Sequence, residues 1–353
     1  MYLFSACNNE VPEVAVVVEE PIQIDEEVVV NDVDEVSTTP EIDDETPVVI
    51  IEEAAETNIE ESVIESVVEL TVEDYKALGV NEQGHIMVVM YHGIKDNPPY
   101  HRVKEDFIKD LTYMYEHNYR LISMTDYLSG NIEVEAGMTP IVLTFDDGLT
   151  STFSLIQSEG ELVVDPESAI GLLEDFAKLY PDFGREASLS IHGNDWNFHG
   201  EGTALERLAW LVDHGYELGN HSNTHANFKN LNQSGLLKEI GEVDKYLSTV
   251  LPDYKMVSMT YPFGARPSSD LLPLLYEGDY EGFDLGYEVA FREGPSGSFY
   301  PPVHVKFSPY NTPRVRGSEG EVQDMWWFFE HYETNAHQKY VSDGRGDTLV
   351  VPL

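Results

Sequence analysis

Between residues 86 and 335, short apolar runs alternate with stretches of helical spacing. The run 86–91 reads Ile-Met-Val-Val-Met-Tyr and has no polar interruption, which predicts a strand buried on both faces. Phe107, Leu111, Met114 and Tyr115 recur at intervals of three and four and predict a helix over 103–118. A second buried strand is expected at 141–145, Ile-Val-Leu-Thr-Phe, leading into Asp146-Asp147-Gly148. Further helices are expected over 168–180, 203–214, 233–250 and 320–335, and strands at 187–191, into 217–220, at 256–261 and at 287–291. Strand–helix alternation with no fixed repeat predicts an α/β fold with a mostly parallel sheet. The span 76–353 is long enough for a deformed (β/α) barrel, whose catalytic groups would sit at the carboxyl ends of the strands.

The first 75 residues follow neither period. They carry 23 Asp or Glu and no Lys or Arg, with Val-rich patches such as 28–30 and 48–51 bracketed by carboxylates. Repulsion extends such a chain, and its apolar content is too small to offset ordering entropy. Residues 8–75 are therefore expected to be a disordered acidic spacer, with a partner-binding segment that adds a strand to a sheet as the other use of the Val patches. Residues 1–7 end in Ser-Ala-Cys and resemble a bacterial lipoprotein cleavage box, with Cys7 as lipid attachment point. No basic or long apolar segment precedes it, so the start reads as incomplete. A lipidated tether would place the protein outside the cytoplasm, at the cell surface.

Charge narrows the function classes. The 353-residue chain has 65 acidic and 20 basic side chains, a net −45. Capture of nucleic acid or anionic lipid by a basic surface is excluded as its main activity. One cysteine permits neither an intrachain disulfide nor a thiolate metal cage.

Two segments carry candidate chemistry. Asp146 and Asp147 end a buried strand, where two adjacent carboxylates are costly unless a cation or a proton-transfer role offsets their repulsion. One can bind a cation while the other faces a reacting water. In His221-Ser222-Asn223-Thr224-His225 the imidazoles stand four apart and also follow a short strand. On one helical face they would be close enough to share a divalent ion. One carboxylate and two imidazoles leave positions open for water and substrate, and zinc is the default ion for such donors.

Together, Thr-Phe-Asp-Asp-Gly at 144–148 and His-Ser-Asn-Thr-His at 221–225 resemble the polysaccharide deacetylase family, carbohydrate esterase family 4. The resemblance extends over about 85–353. Met90-Tyr91-His92-Gly93-Ile94 is similar to the branch acting on surface polymers, and Tyr261-Pro262-Phe263-Gly264 to the third family motif. It implies Asp146 as general base, Asp147, His221 and His225 as metal ligands, and the Phe263 backbone N–H as an oxyanion donor. Thr260 stands where many members have an arginine that orients the base, so Arg266 or Arg314 would take that part. For the family's late general acid, His304 is preferred over His331 and His337. Trp196 and Phe198, in the long stretch between the metal motifs, are candidates for stacking on sugar rings. The implied reaction removes N-acetyl groups from an N-acetylglucosamine polysaccharide or oligosaccharide. O-acetyl ester hydrolysis and glycan binding by a degenerate site are the alternatives.

Overall fold

The computed structural model describes residues 14–17, 70–95, 101–294 and 299–352. The cleavage-box reading at Cys7 lies outside the described residues, as does the spacer reading apart from one short strand.

In chain order, β1 (Val14–Val17) and α1 (Val72–Leu78) precede the first barrel strand, β2 (Val88–Tyr91). Then come α2 (Lys104–Glu116), β3 (Tyr119–Leu121), α3 (Met124–Ser129) and β4 (Thr139–Phe145). A hairpin of β5 (Leu155–Ser158) and β6 (Glu161–Val164) leads to α4 (Ala169–Leu179), β7 (Ser188–Ile191), α5 (Ala204–Asp213) and β8 (Glu217–Asn220). Next are α6 (Gln233–Val250), β9 (Ser258–Thr260), α7 (Leu274–Glu277) and the hairpin of β10 (Gly278–Tyr280) and β11 (Phe283–Leu285). The chain closes with β12 (Val289–Glu293), β13 (Thr312–Arg316), α8 (Met325–Thr334) and β14 (Leu349–Pro352).

Seven parallel strands form a closed ring in the order β2, β13, β12, β9, β8, β7, β4 and back to β2, with β3 added along the first half of β4. The expected α/β barrel is therefore present, and all its strands end on one face. β4 is buried at all seven positions, as its mostly apolar sequence suits, with two threonines among them. Several helices start where their sequences supply caps. Thr203 and Glu206 satisfy each other's backbone N–H groups at the start of α5, and the Asn232 side chain accepts from Gly235 N at the start of α6.

Outside the ring, β1 pairs antiparallel with β14, Val14 opposite Pro352 and Val17 opposite Leu349. This pairing lies within the chain.

Candidate metal centre

The carboxyl end of the barrel holds the candidate chemistry, and the register explains why. Tyr91 of β2 lies opposite Phe145 of β4, so His92 and Asp146 leave adjacent strands at the same height. Asp146 N donates to the Tyr91 carbonyl at 3.0 Å. The chain then turns sharply: Asp147 has φ 71° and Gly148 φ 57°. A Cβ on Gly148 would stand 2.5 Å from Asn197 Oδ1, so both backbone sign and space demand glycine there. Ser222, His225 and Phe263 share the left-handed conformation, with φ of 64°, 55° and 58°. Left-handed non-glycine residues are uncommon, and their concentration on one rim is the pattern of a site that fixes side-chain direction at the expense of backbone strain.

That geometry brings Asp147, His221 and His225 together. Asp147 Oδ1 lies 3.2 Å from His221 Nε2 and 3.6 Å from His225 Nε2. One donor atom from each residue falls within 4.8 Å of the other two. His221 Nδ1 is 3.0 Å from the Thr260 carbonyl and 2.5 Å from its hydroxyl, which in turn donates to Ser190 Oγ. A proton on Nδ1 donated to that carbonyl leaves the Nε2 lone pair directed at the cluster, the usual outer support of a metal-ligating histidine. One carboxylate and two such imidazoles fit a divalent cation. Burial works to raise the Asp147 pKa, but the surrounding histidines outweigh it and hold the carboxyl well below the usual range.

Asp146 faces a different partner. It is 2% exposed and is gripped from inside the barrel by Arg314 of β13, with Nη1 to Oδ1 at 2.8 Å and Nη2 to Oδ2 at 2.6 Å. Arg314 Nη1 also donates to Thr144 Oγ1 at 3.0 Å. Burial would push the Asp146 carboxyl up; the Arg314 charge, then that of His221, reverses this and keeps it well below the usual range. Of the two arginines proposed to orient this carboxylate, Arg314 makes the contact. Thr260, at the position held by arginine in many relatives, serves His221 instead.

Other readings change. His304 does not join the cluster: its ring stacks on Tyr300, centroids 4.1 Å apart, and its Nδ1 accepts from Lys306 N. The preceding Phe299 carbonyl accepts from Ile86 N, just before β2, so this loop lies at the amino end of the barrel. His92 is present instead, with Nε2 4.0 Å from Asp147 Oδ2. It was legible in principle, since it follows the 86–91 run just as Asp146 follows 141–145. His192 also stands beside the cluster: Nε2 is 3.8 Å from Asp147 Oδ1, and Nδ1 lies 2.7 Å from the Ser222 carbonyl. Phe198 is fully buried against Phe153 and cannot stack on a sugar, whereas Trp196 is 72% exposed. The Phe263 ring, 65% exposed, stands edge-on to His225 with centroids 4.5 Å apart.

These groups open into a cavity of about 570 Å³, whose wall includes His92, Asp146, Asp147, His221, Phe263 and Glu293. Its size suits a sugar unit and its neighbour. A carboxylate fixed by a guanidinium, beside an oxygen–imidazole cluster and a second histidine, can accept and return protons around a bound electrophile.

Comparisons with known proteins bear on the fold. Residues 194–275 match the polysaccharide deacetylase family model. The fold is similar to that of IcaB from Ammonifex degensii, at 15% identity and a TM-score of 0.51 over 72% of this chain and 97% of that one. It is also similar to BA0330 of Bacillus anthracis, which carries the polysaccharide deacetylase name, at 19% identity and a TM-score of 0.50 over 70% and 68%. The deacetylase PplD of Streptococcus pyogenes, in complex with acetate, gives 18% identity and a TM-score of 0.46 over 66% and 92%. No curated protein matches the chain.

Proposed function

Starting from a chain with the polysaccharide deacetylase fold and family match, we propose that it is a metal-dependent hydrolase removing N-acetyl groups from an N-acetylglucosamine polysaccharide or oligosaccharide. The observation that carries the proposal is the pairing of the Asp146–Arg314 ion pair with the Asp147–His221–His225 cluster in one open cavity. Asp147, His221 and His225 would hold the divalent ion, zinc by donor type, which when bound supplies a positive charge that polarises the acyl carbonyl and acidifies water.

The chain's own groups do the rest. Asp146 is ionised and cannot rotate, because both its oxygens are held by Arg314; it takes a proton from the attacking water. The backbone N–H of Phe263, whose residue lines the cavity, is the donor for the oxyanion that forms as water adds to the acetamide carbon. His92 Nε2 gives a proton to the amine as the C–N bond breaks. Acetate and a free amino sugar result. The acidic segment and Cys7 fit a surface tether, so the proposed substrate is an extracytoplasmic glycan.

The test is acetate release from N-acetylglucosamine oligomers, with and without added zinc and after chelation. Asp146→Ala is expected to abolish turnover with metal retained, and Asp147→Ala to abolish turnover and metal binding together. Full turnover in both variants would overturn the proposal. Release from acetylated xylan but not from the N-acetylated oligomers would assign the site to ester hydrolysis instead.

A further inference from the structure

His221 and His225 stand at helical spacing in the sequence, yet residues 221–225 form no helix. Ser222 and His225 are left-handed, at φ 64° and 55°, a conformation that L side chains hold only when their surroundings impose it. The distance between the two imidazoles is therefore set from outside the loop. The two rings are not supported alike. His221 is fixed through Nδ1 by Thr260. Among the described residues no hydrogen bond reaches the ring of His225, whose side chain is 35% exposed and meets the Phe263 ring edge-on. The direction of His225 depends on the backbone that precedes it.

That backbone is held by α6. The backbone carbonyl of Glu239 accepts from Asn223 N at 2.8 Å. Its side chain takes both donors of the next residue, Oε2 from Thr224 N at 2.9 Å and Oε1 from Thr224 Oγ1 at 2.8 Å. At the start of the loop, Asn220 donates from Nδ2 to the Ile240 carbonyl at 3.0 Å, and its Oδ1 accepts from Ser222 N at 2.8 Å. Two consecutive helix residues thus grip the loop before His221 and again just before His225. The second grip calls for a carboxylate. Its two oxygens lie in one plane and meet an N–H and an O–H together, and bonds to a charged acceptor are about twice as strong as neutral ones. Glutamine would keep one acceptor and turn an amide NH2 against the other donor. A ligand fixed in advance also spares the ion the entropy of ordering it.

We propose that Glu239 is a positioning residue for the metal centre: it fixes His225 before an ion arrives, so affinity for the ion is set in part from α6. This rests on the metal-centre part of the proposed function and on no particular substrate. Zinc affinity of the full chain is measured by competition with a chromophoric chelator, and the visible absorption of bound cobalt(II) reports ligand geometry. Glu239→Ala is expected to weaken zinc binding about 10–100-fold and to alter the cobalt spectrum. Glu239→Gln should lose affinity in the same direction by less. Thr224→Val, which removes only the hydroxyl donor, should also weaken binding, and Thr224→Ser should restore it. These milder variants decide the matter if Glu239→Ala does not fold. Thr203→Ala, which loosens the cap of α5 away from the loop, is the control for general destabilisation and should bind zinc as the wild type does. A lowered urea midpoint in the Glu239 variants with unchanged zinc affinity would make Glu239 a structural clamp only and overturn the proposal, as would equal weakening in Thr203→Ala. Zinc binding that depends on Glu239 in a protein that releases no acetate would end the deacetylase reading and leave this one standing. Acetate release with zinc affinity indifferent to Glu239 would do the reverse.

Discussion

Asp146 is almost completely buried and still ionised, because a guanidinium occupies both of its oxygens. Lysine at 314 would bring the same charge as a single point and could hold only one oxygen at a time. Arg314→Lys is expected to lower kcat by up to about 10²-fold through misorientation of the base. Metal content, measured by elemental analysis, should not change. Arg314→Ala would leave Asp146 buried without a counterion, an arrangement that costs about 3–5 kcal/mol, and should lower the urea midpoint sharply. The two histidine assignments separate just as cleanly. His92→Gln should lower kcat by about 10²–10⁴-fold, while His304→Gln, at the far end of the barrel, should leave acetate release unchanged.

The loop 192–199 and the 146–148 turn act as one element. Asn197 is its hub, and Asn197→Ala would take away the side-chain partners of the His192 N–H and the Asn194 carbonyl, while the His192 carbonyl keeps its bond from Asn194 N. We expect a loss of about 2–3 kcal/mol in urea unfolding. Thr203→Ala, which removes only the cap of α5, should cost about 1 kcal/mol and leave activity intact. Gly148→Ala adds a Cβ against Asn197 at a positive φ and should harm both stability and turnover. Element boundaries were readable where caps are encoded. α6 begins after Asn232 over the expected span, whereas the helix expected from 320 begins at Met325, because Asp324 accepts from Trp327 N and caps it. β13 was not read as a strand. Its Pro313, Arg314 and Arg316 look polar in a linear scan, although Arg314 points into the barrel and is compensated there.

At the scale of the whole molecule, the carboxyl-terminal segment is tied to the start of the body through Glu82. Its carboxylate accepts from Val350 N at 2.6 Å and Asp343 N at 3.1 Å, and its own N–H donates to the Val350 carbonyl. Burial pushes the Glu82 carboxyl up to about 7 despite these donors, from an ordinary 4.5. The folded state therefore binds the proton more tightly than the unfolded state. The resulting stabilisation is fully present below about pH 4.5 and is lost as pH rises through about 7, by up to about 3 kcal/mol. Glu82→Gln should remove this part of the pH dependence from thermal unfolding curves followed between about pH 5 and 8.

The linear order of residues determined the alternation of strands and helices, because periodicity and caps are local properties of the chain. It also determined where two carboxylates and two imidazoles would stand relative to their strands. Only the closed ring decided which side chains meet. Strand register set His92 level with Asp146, and inward alternation on β13 carried Arg314 across the barrel to its carboxylate. The same closure sent the His304 loop to the opposite end, since the link from β12 to β13 must return there before a parallel strand can begin.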